Sequence, residues 1–199
     1  MKQNKIYAVT GGIGSGKSTV MQIIKEAGYA TFSCDRIYGE LLTDGGFIKG
    51  LCDVFGKITD DSGNLDRQKL ADIVFDDAAQ LNKLNDYTHP RIYNEMFKRA
   101  KEVNGICFCE VPLLFESGAE GLFDGVIVVM RDVERRIKSV TERDKLPEQD
   151  VKKRISKQFD YNSFDFAMYY VIHNDGNLTE LVRQTKEIIN KITKNDVQH

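Results

Sequence analysis

Gly11-Gly12-Ile13-Gly14-Ser15-Gly16-Lys17-Ser18 is the stretch that decides the fold of this chain. It satisfies G-x-x-x-x-G-K-[ST] and stands in the context that pattern needs. A short apolar run, Ile6 to Val9, leads into it. A segment with helical apolar spacing, Thr19 to Ala27, leads out, and Gly28 is placed to stop that helix. Each residue type has a reason. Glycines admit backbone conformations closed to other residues, so successive N–H groups can converge on one anion. The following helix adds the partial positive charge of its N-terminus. Lys17 brings a full charge to the outer phosphates, and the Ser18 hydroxyl is a ligand of the kind Mg²⁺ takes. The segment is therefore a phosphate-cradling loop between a buried strand and a helix.

Further out, short apolar runs recur at Tyr29–Ser33, Ile106–Cys109, Val126–Met130 and Tyr169–Ile172, separated by helical patterns. Strands alternating with helices predict an α/β fold with a five-stranded, mainly parallel sheet covered on both faces, in three layers. The last helix is the clearest: Leu178, Leu181, Val182, Thr185, Ile188, Ile189 and Ile192 share one face. Asn177 is its cap, Glu180 sits at the capping-box position, and a polar, frayed tail is expected after Thr193. Residues 36–104 hold helical patterns without a convincing strand, and Pro90 suits the first turn of one helix. Residues 131–158 carry ten Lys/Arg against six Asp/Glu, broken by Pro147 into arms Val133–Arg143 and Glu148–Gln158. That divides the chain into a core of 1–35, 105–130 and 159–199, a helical insertion of 36–104, and a helical hairpin of 131–158.

With 199 residues the chain has room for one compact domain with insertions. A net charge of -2 argues against a duplex-DNA binder. The apolar run after Met1 is too short for a signal peptide or a membrane span, which predicts a cytosolic protein with no membrane association. Cys34, Cys52, Cys107 and Cys109 match no zinc spacing and read as reduced core thiols.

A phosphate loop alone does not separate a kinase from a GTPase or a motor. Thr193-Lys194-Asn195-Asp196, Asp53-Val54-Phe55-Gly56 and Asp60-Asp61-Ser62-Gly63 mimic GTPase motifs but follow no sheet strand. A kinase needs a group that aligns or deprotonates an acceptor hydroxyl, plus cations near the transferred group. Asp35 follows the second strand and reads equally as that group or as a helix N-cap. Glu110 ends the third strand, and Val111-Pro112-Leu113-Leu114-Phe115-Glu116 forms either a pocket wall or core. Arg135, Arg136, Arg143 and Arg154 are the candidate cations of a hairpin that closes over the nucleotide. The turn Asn174-Asp175-Gly176 ends the fifth strand.

These pieces, in order along nearly the whole chain, resemble the dephospho-CoA kinases. The resemblance rests on Thr10–Thr19, Cys34-Asp35-x-Ile37, Leu65-Asp66-Arg67 with Val74-Phe75, and His89-Pro90-x-Ile92. It continues through Pro112-Leu113-Leu114-Phe115-Glu116, Arg154-Ile155-x-x-Gln158 and Val171-Ile172-x-Asn174-x-Gly176. It implies a P-loop NTPase core with an acceptor-binding helical domain and a lid. The implied activity is transfer of the γ-phosphoryl group of ATP, with Mg²⁺, to the 3′-hydroxyl of dephospho-CoA, the last step of coenzyme A synthesis. No nucleic acid, membrane or obligatory protein partner is implied. Asp35, Lys17 and Arg143 would be catalytic. Gly12, Ile13, Gly14, Ser15, Gly16, Lys17, Ser18, Thr19, Arg143 and Asn174 would bind ATP, with Ser18 on the metal. Thr10, Asp35, Arg67, His89, Pro112, Leu113, Leu114 and Glu116 would line the acceptor site. Two positions depart: Ser33-Cys34-Asp35 replaces the family's frequent Asp-Ala-Asp, and Gly39 stands where arginine is common, with Arg36 nearby as a substitute.

Overall fold

The computed structural model describes residues 4–75 and 77–197. The chain divides into two compact units, Met1–Phe32 with Ala100–His199, and Ser33–Arg99.

In the first unit, strands β1 (Lys5–Thr10), β2 (Ala30–Ser33), β3 (Ile106–Glu110), β4 (Gly125–Met130) and β5 (Tyr170–His173) lie in the order β2-β3-β1-β4-β5. β1 pairs in parallel with β3 and β4, and β4 with β5. Five strands with parallel pairings agree with the expected mainly parallel sheet. Alternation along the strands sends Tyr7, Val9, Phe108, Ile127, Val129 and Ile172 to one face. There they meet Val20, Met21, Ile23 and Ile24 of helix α1 (Lys17–Glu26). They also meet Leu181, Ile188, Ile189 and Ile192 of the last helix, α8 (Leu178–Val197). The residues between them, Ala8, Cys107, Cys109, Val126 and Val128, are buried as well, so both faces of the sheet are dry. Each such Ile, Leu or Phe contributes roughly 1.5–3 kcal/mol by leaving water.

Parallel pairing brings the carboxyl ends of β1, β3, β4 and β5 to one edge. The glycine loop follows β1, Val111–Glu116 follows β3, Arg131 follows β4, and Asn174 follows β5. Gly28, at φ 92, ends α1 as its sequence position requires. α8 is capped by Asn177, whose Oδ1 accepts from the Glu180 N–H at 3.0 Å. Its helical backbone continues through Val197 rather than fraying after Thr193, so the GTPase-like Thr193–Asp196 lies within a helix. Gln198 and His199 fall outside the described residues, as do Met1–Gln3 of the opening segment.

Between β4 and β5, α6 (Val133–Asp144) and α7 (Glu148–Ser156) form the charged hairpin, broken where Lys145 takes φ 56 ahead of Pro147. Ile137, Val140 and Val151 pack together with Leu146 and Ile155, and Ile13 of the glycine loop joins them. The apolar stripe of the hairpin is thus closed partly by the loop itself.

The second unit is helical: α2 (Cys34–Leu41), α3 (Gly45–Phe55), α4 (Arg67–Val74) and α5 (Ala78–Lys101) up to Arg99. Asp44 caps α3 by accepting from the Phe47 N–H at 2.7 Å, and Asp66 caps α4 through the Gln68 and Lys69 N–H groups. Leu42, Phe47, Leu51, Ile58 and Leu70 make its core, joined by Leu84 and Tyr87 of α5. The Tyr87 hydroxyl donates to the Phe47 carbonyl at 3.0 Å.

Pro90 does not begin a helix, as its sequence context suggested, but lies inside α5. It deprives the Asp86 carbonyl of its helical donor, a cost of roughly 3 kcal/mol in a helix interior. Packing on both sides offsets that cost, with Leu84 and Tyr87 before it and the buried Ile92 and Met96 after it. Pro90→Ala should therefore raise stability, by about 1–3 kcal/mol. An upward shift of the urea midpoint at constant m-value would show it; a lower midpoint would mean the proline ring itself is required.

Candidate functional site

The glycine loop begins where Thr10, fully buried, ends β1. Gly11, Gly14 and Gly16 take φ 146, 77 and 98, values open to glycine at little cost. The Ser15 N–H bonds to the Gly12 carbonyl at 3.1 Å, closing the turn. Gly16 then occupies the N-cap of α1, and its carbonyl accepts from the Thr19 and Val20 N–H groups. The first N–H groups of α1 are thereby gathered at the loop's end, next to the Lys17 side chain. Lys17 Nζ donates to the carbonyls of Gly11 and Gly12 at 2.7 and 3.2 Å, which keeps the ammonium over the loop. The exposed Ser18 donates from Oγ to Glu110 Oε1 at 3.0 Å. Hydroxyl and carboxylate thus meet at the mouth of the loop, a pair of hard oxygen donors of the kind Mg²⁺ accepts beside phosphate oxygens.

Side chains from outside the loop hold its backbone. Arg136 is 5% exposed. Its Nε donates to the Ile13 carbonyl at 2.9 Å and its Nη2 to Gln158 Oε1 at 3.2 Å. Gln158 Oε1 accepts in turn from the Ile13 N–H at 2.8 Å. Arg131 Nη1 donates to the Gly14 carbonyl at 3.2 Å and to Ser139 Oγ at 2.9 Å. Asn174 Nδ2 donates to the Ser15 carbonyl at 2.8 Å. Arg135 reaches the Asp175 carbonyl. Thr10 Oγ1 and the Tyr161 hydroxyl lie 3.3 Å apart. Burial pushes the Tyr161 hydroxyl up to about 12, with Thr10 opposing, so it stays a neutral phenol. Burial also lowers the Arg136 guanidinium from its ordinary value, though such a group keeps its charge.

Among the guanidiniums expected to face a transferred phosphoryl group, Arg136 is engaged elsewhere: it is buried against Ile13 and Gln158. Arg143, at the end of α6, is exposed and pairs with Asp144 at 2.7 Å. Sequence reasoning missed Arg131 and Tyr161 and gave no structural role to Gln158. Their partners in β1 and the glycine loop are more than a hundred residues away, and no local pattern announces them.

The Pro112–Glu116 segment is a turn, with Leu114 buried and Leu113 40% exposed. Phe115 stacks on Phe159 at 4.9 Å and has Tyr161, Phe164, Phe166 and Tyr169 as ring neighbours. Glu116 Oε1 accepts from the Phe159 N–H at 2.9 Å. The segment is therefore one wall of an aromatic cluster.

In the helical unit, Asp35 is exposed in the first turn of α2, while the cap position belongs to Ser33. The cap reading of Asp35 is thus set aside. Cys34 is buried, its Sγ 3.8 Å from Met96 Sδ. Arg67 opens α4 as an exposed residue whose charge is felt by the Tyr38 hydroxyl. His89 is half-buried on α5, its ring 6.1 Å from that of Tyr93. Among the described residues, no cluster of three or more His, Cys, Asp or Glu is arranged to hold a metal, and no helix is long and apolar enough to cross a membrane.

Comparison with known proteins adds the following. The model of the dephospho-CoA kinase family matches residues 5–180. A dephospho-CoA kinase of Fusobacterium nucleatum is 35% identical over 190 residues, covering 94% of this chain and 98% of its own. One from Corynebacterium glutamicum is 37% identical, covering 92% and 97%. The solved dephospho-CoA kinase of Campylobacter jejuni superimposes with a TM-score of 0.69 at 28% identity, covering 96% of this chain and 98% of its own.

His89 gives a pH test of the helical unit. Burial lowers its pKa from 6.5, with Asp86 partly opposing. A histidine depressed in the fold contributes stability that is full above its unfolded pKa of about 6.5 and is lost as pH falls through the folded value. Between about pH 7.5 and pH 5, the wild-type Tm should therefore fall more than that of His89→Gln. Parallel Tm-against-pH curves would contradict the burial argument.

Proposed function

Because the chain belongs to the dephospho-CoA kinase family, we propose that it transfers the γ-phosphoryl group of ATP to the 3′-hydroxyl of dephospho-CoA, giving CoA and ADP. The acceptor half of the reading rests on the family, and the observation that carries its ATP half is the loop of residues 11–18. Its turn is closed by Ser15 and Gly12, its helix starts at Gly16, and a lysine ammonium is held over it.

The steps assigned to this chain follow from its side chains. The loop N–H groups and the start of α1 bind the phosphates, and Lys17 exchanges its carbonyl partners for phosphate oxygens, where charge grows as the phosphoryl group departs. Asp35 aligns the acceptor hydroxyl and takes its proton. The freed oxygen bonds to the γ-phosphorus, the bond from that phosphorus to the β–γ bridging oxygen breaks, and ADP leaves with the electron pair. An exposed carboxylate free of capping duty is suited to that role. Ser18 and Glu110 would hold Mg²⁺, which supplies charge neutralisation to the phosphates when bound.

Gly12 to Thr19 and Arg143 form the ATP site in this reading, and Asn174 belongs to it through the Ser15 carbonyl that its Nδ2 holds. Thr10, Arg67, His89 and the Pro112–Glu116 segment serve the acceptor. Arg143 exchanges Asp144 for phosphate as the hairpin settles over bound nucleotide. The protein works in the cytoplasm on a small molecule, without nucleic acid, membrane or an obligatory protein partner.

The purified protein, given ATP, Mg²⁺ and dephospho-CoA, should produce CoA detectable by mass. Hydrolysis of ATP at a rate indifferent to the acceptor would point to a switch instead, and turnover only with other alcohols to a different small-molecule kinase. Asp35→Asn should lower kcat about 10²–10⁴-fold while ATP binding is retained; near-normal turnover would remove Asp35 from the chemistry. Lys17→Ala should lower kcat/KM for ATP about a hundredfold or more.

A further inference from the structure

The carbonyls of Ile13, Gly14 and Ser15 are consecutive, and each accepts a hydrogen bond from a side chain outside the loop: Arg136 Nε at 2.9 Å, Arg131 Nη1 at 3.2 Å and Asn174 Nδ2 at 2.8 Å. The three donors come from different places: the middle of the first turns of α6, the residue after β4, and the residue after β5. A trans peptide is planar, with its C=O and N–H directed oppositely. Holding the carbonyl of residue i therefore also sets the direction of the N–H of residue i+1. The three contacts fix the N–H groups of Gly14, Ser15 and Gly16. That of Ser15 is used on the Gly12 carbonyl to close the turn. Those of Gly14 and Gly16 are turned away from the side chains that grip the carbonyls before them.

We infer that Arg131, Arg136 and Asn174 are positioning residues for phosphate binding. They grip the outer carbonyls of the loop and so orient its N–H groups before the nucleotide arrives, and they do not themselves contact phosphate or base. This rests on the reading of residues 11–18 as the cradle for the ATP phosphates.

The glycines corroborate the fit between loop and clamps. Gly12 has no positive φ, so its backbone does not demand glycine; a Cβ there would come within 2.1 Å of Arg136 Nη2. A Cβ on Gly14 would meet the Arg136 carbonyl at 2.7 Å, and one on Gly16 would meet Asn174 Nδ2 at 2.3 Å. The loop and its external donors are packed as one object. Arg136 has little freedom to swing inward, being buried and bonded both to Ile13 and to Gln158. Fixing the donors in advance removes ordering cost from the binding step, which is how a floppy glycine turn becomes a tight anion site.

The test separates a grip on the loop from contact with ligand. Asn174→Leu keeps the size of the side chain, changes no charge and removes the donor. Binding of ATP and of inorganic tripolyphosphate to the full chain is measured by calorimetry, with apo-protein Tm as the control for folding. A positioning role predicts that both ligands weaken by the same factor, about five- to tenfold for one hydrogen bond near charge, while Tm moves little. Weakening of ATP alone would mean that Asn174 touches the nucleoside, and unchanged binding of both would mean that the grip is idle; either overturns the inference. Should Asn174→Leu fail to fold, Arg131→Met serves in its place, read in about 50 and about 500 mM KCl. A lost grip persists at both salts, whereas a deficit that vanishes at high salt reports direct charge attraction and overturns the inference. Wild-type protein that binds neither ATP nor tripolyphosphate would instead sink the phosphate-loop reading itself.

Discussion

A glycine-rich turn has more backbone freedom than any other stretch of chain, and only contacts from outside can choose one conformation for it. Here the choice is made by the sheet. β4, which flanks β1, and β5 beyond it deliver Arg131 and Asn174 to the same edge, one directly after β4 and the other directly after β5. Parallel pairing is what makes this possible, since it places the ends of sequentially distant strands side by side. The fold and the site are therefore linked through register: a slip of β4 or β5 by one residue would carry its donor to the wrong face.

The charged hairpin looks different in this light. Its charge balance suggests a solvated cover rich in cations, yet its inward side is apolar, and Ile13 of the loop is one of the residues that fills it. Arg136 crosses that apolar contact and is made tolerable there by the Ile13 carbonyl and Gln158. The hairpin's roots are consequently part of the loop's support, while its outer end, with Arg143 and Asp144, stays in water.

Much of this architecture was legible in the residues. The five apolar runs became the five strands, because buried parallel strands announce themselves as short hydrophobic runs. The glycine loop was plain from its pattern and its flanks, and Asn177 capped α8 as its chemistry indicated. What was illegible depends on partners far along the chain. Proline is a stop signal read locally, but the neighbours of Pro90 are buried before and after it, so α5 continues. Asp35 resembled a cap because the helix start was placed one or two residues late; the backbone gives that position to Ser33. Arg136 read as a cation for the transferred phosphoryl group because burial of a guanidinium requires two acceptors that no spacing rule connects to it.

The helical unit is inserted between β2 and β3, which are neighbours in the sheet, and this shapes how the molecule assembles. Pairing Lys5 with Ile106 joins segments about a hundred residues apart. The entropy of closing so long a loop grows only logarithmically with its length, but it must be met before the pairing gives anything back. An insertion that has already condensed around Phe47, Leu51 and Leu70 presents a far shorter effective tether than an open chain. Closing the central strand pair in this topology therefore costs less entropy once the interruption has become a body of its own.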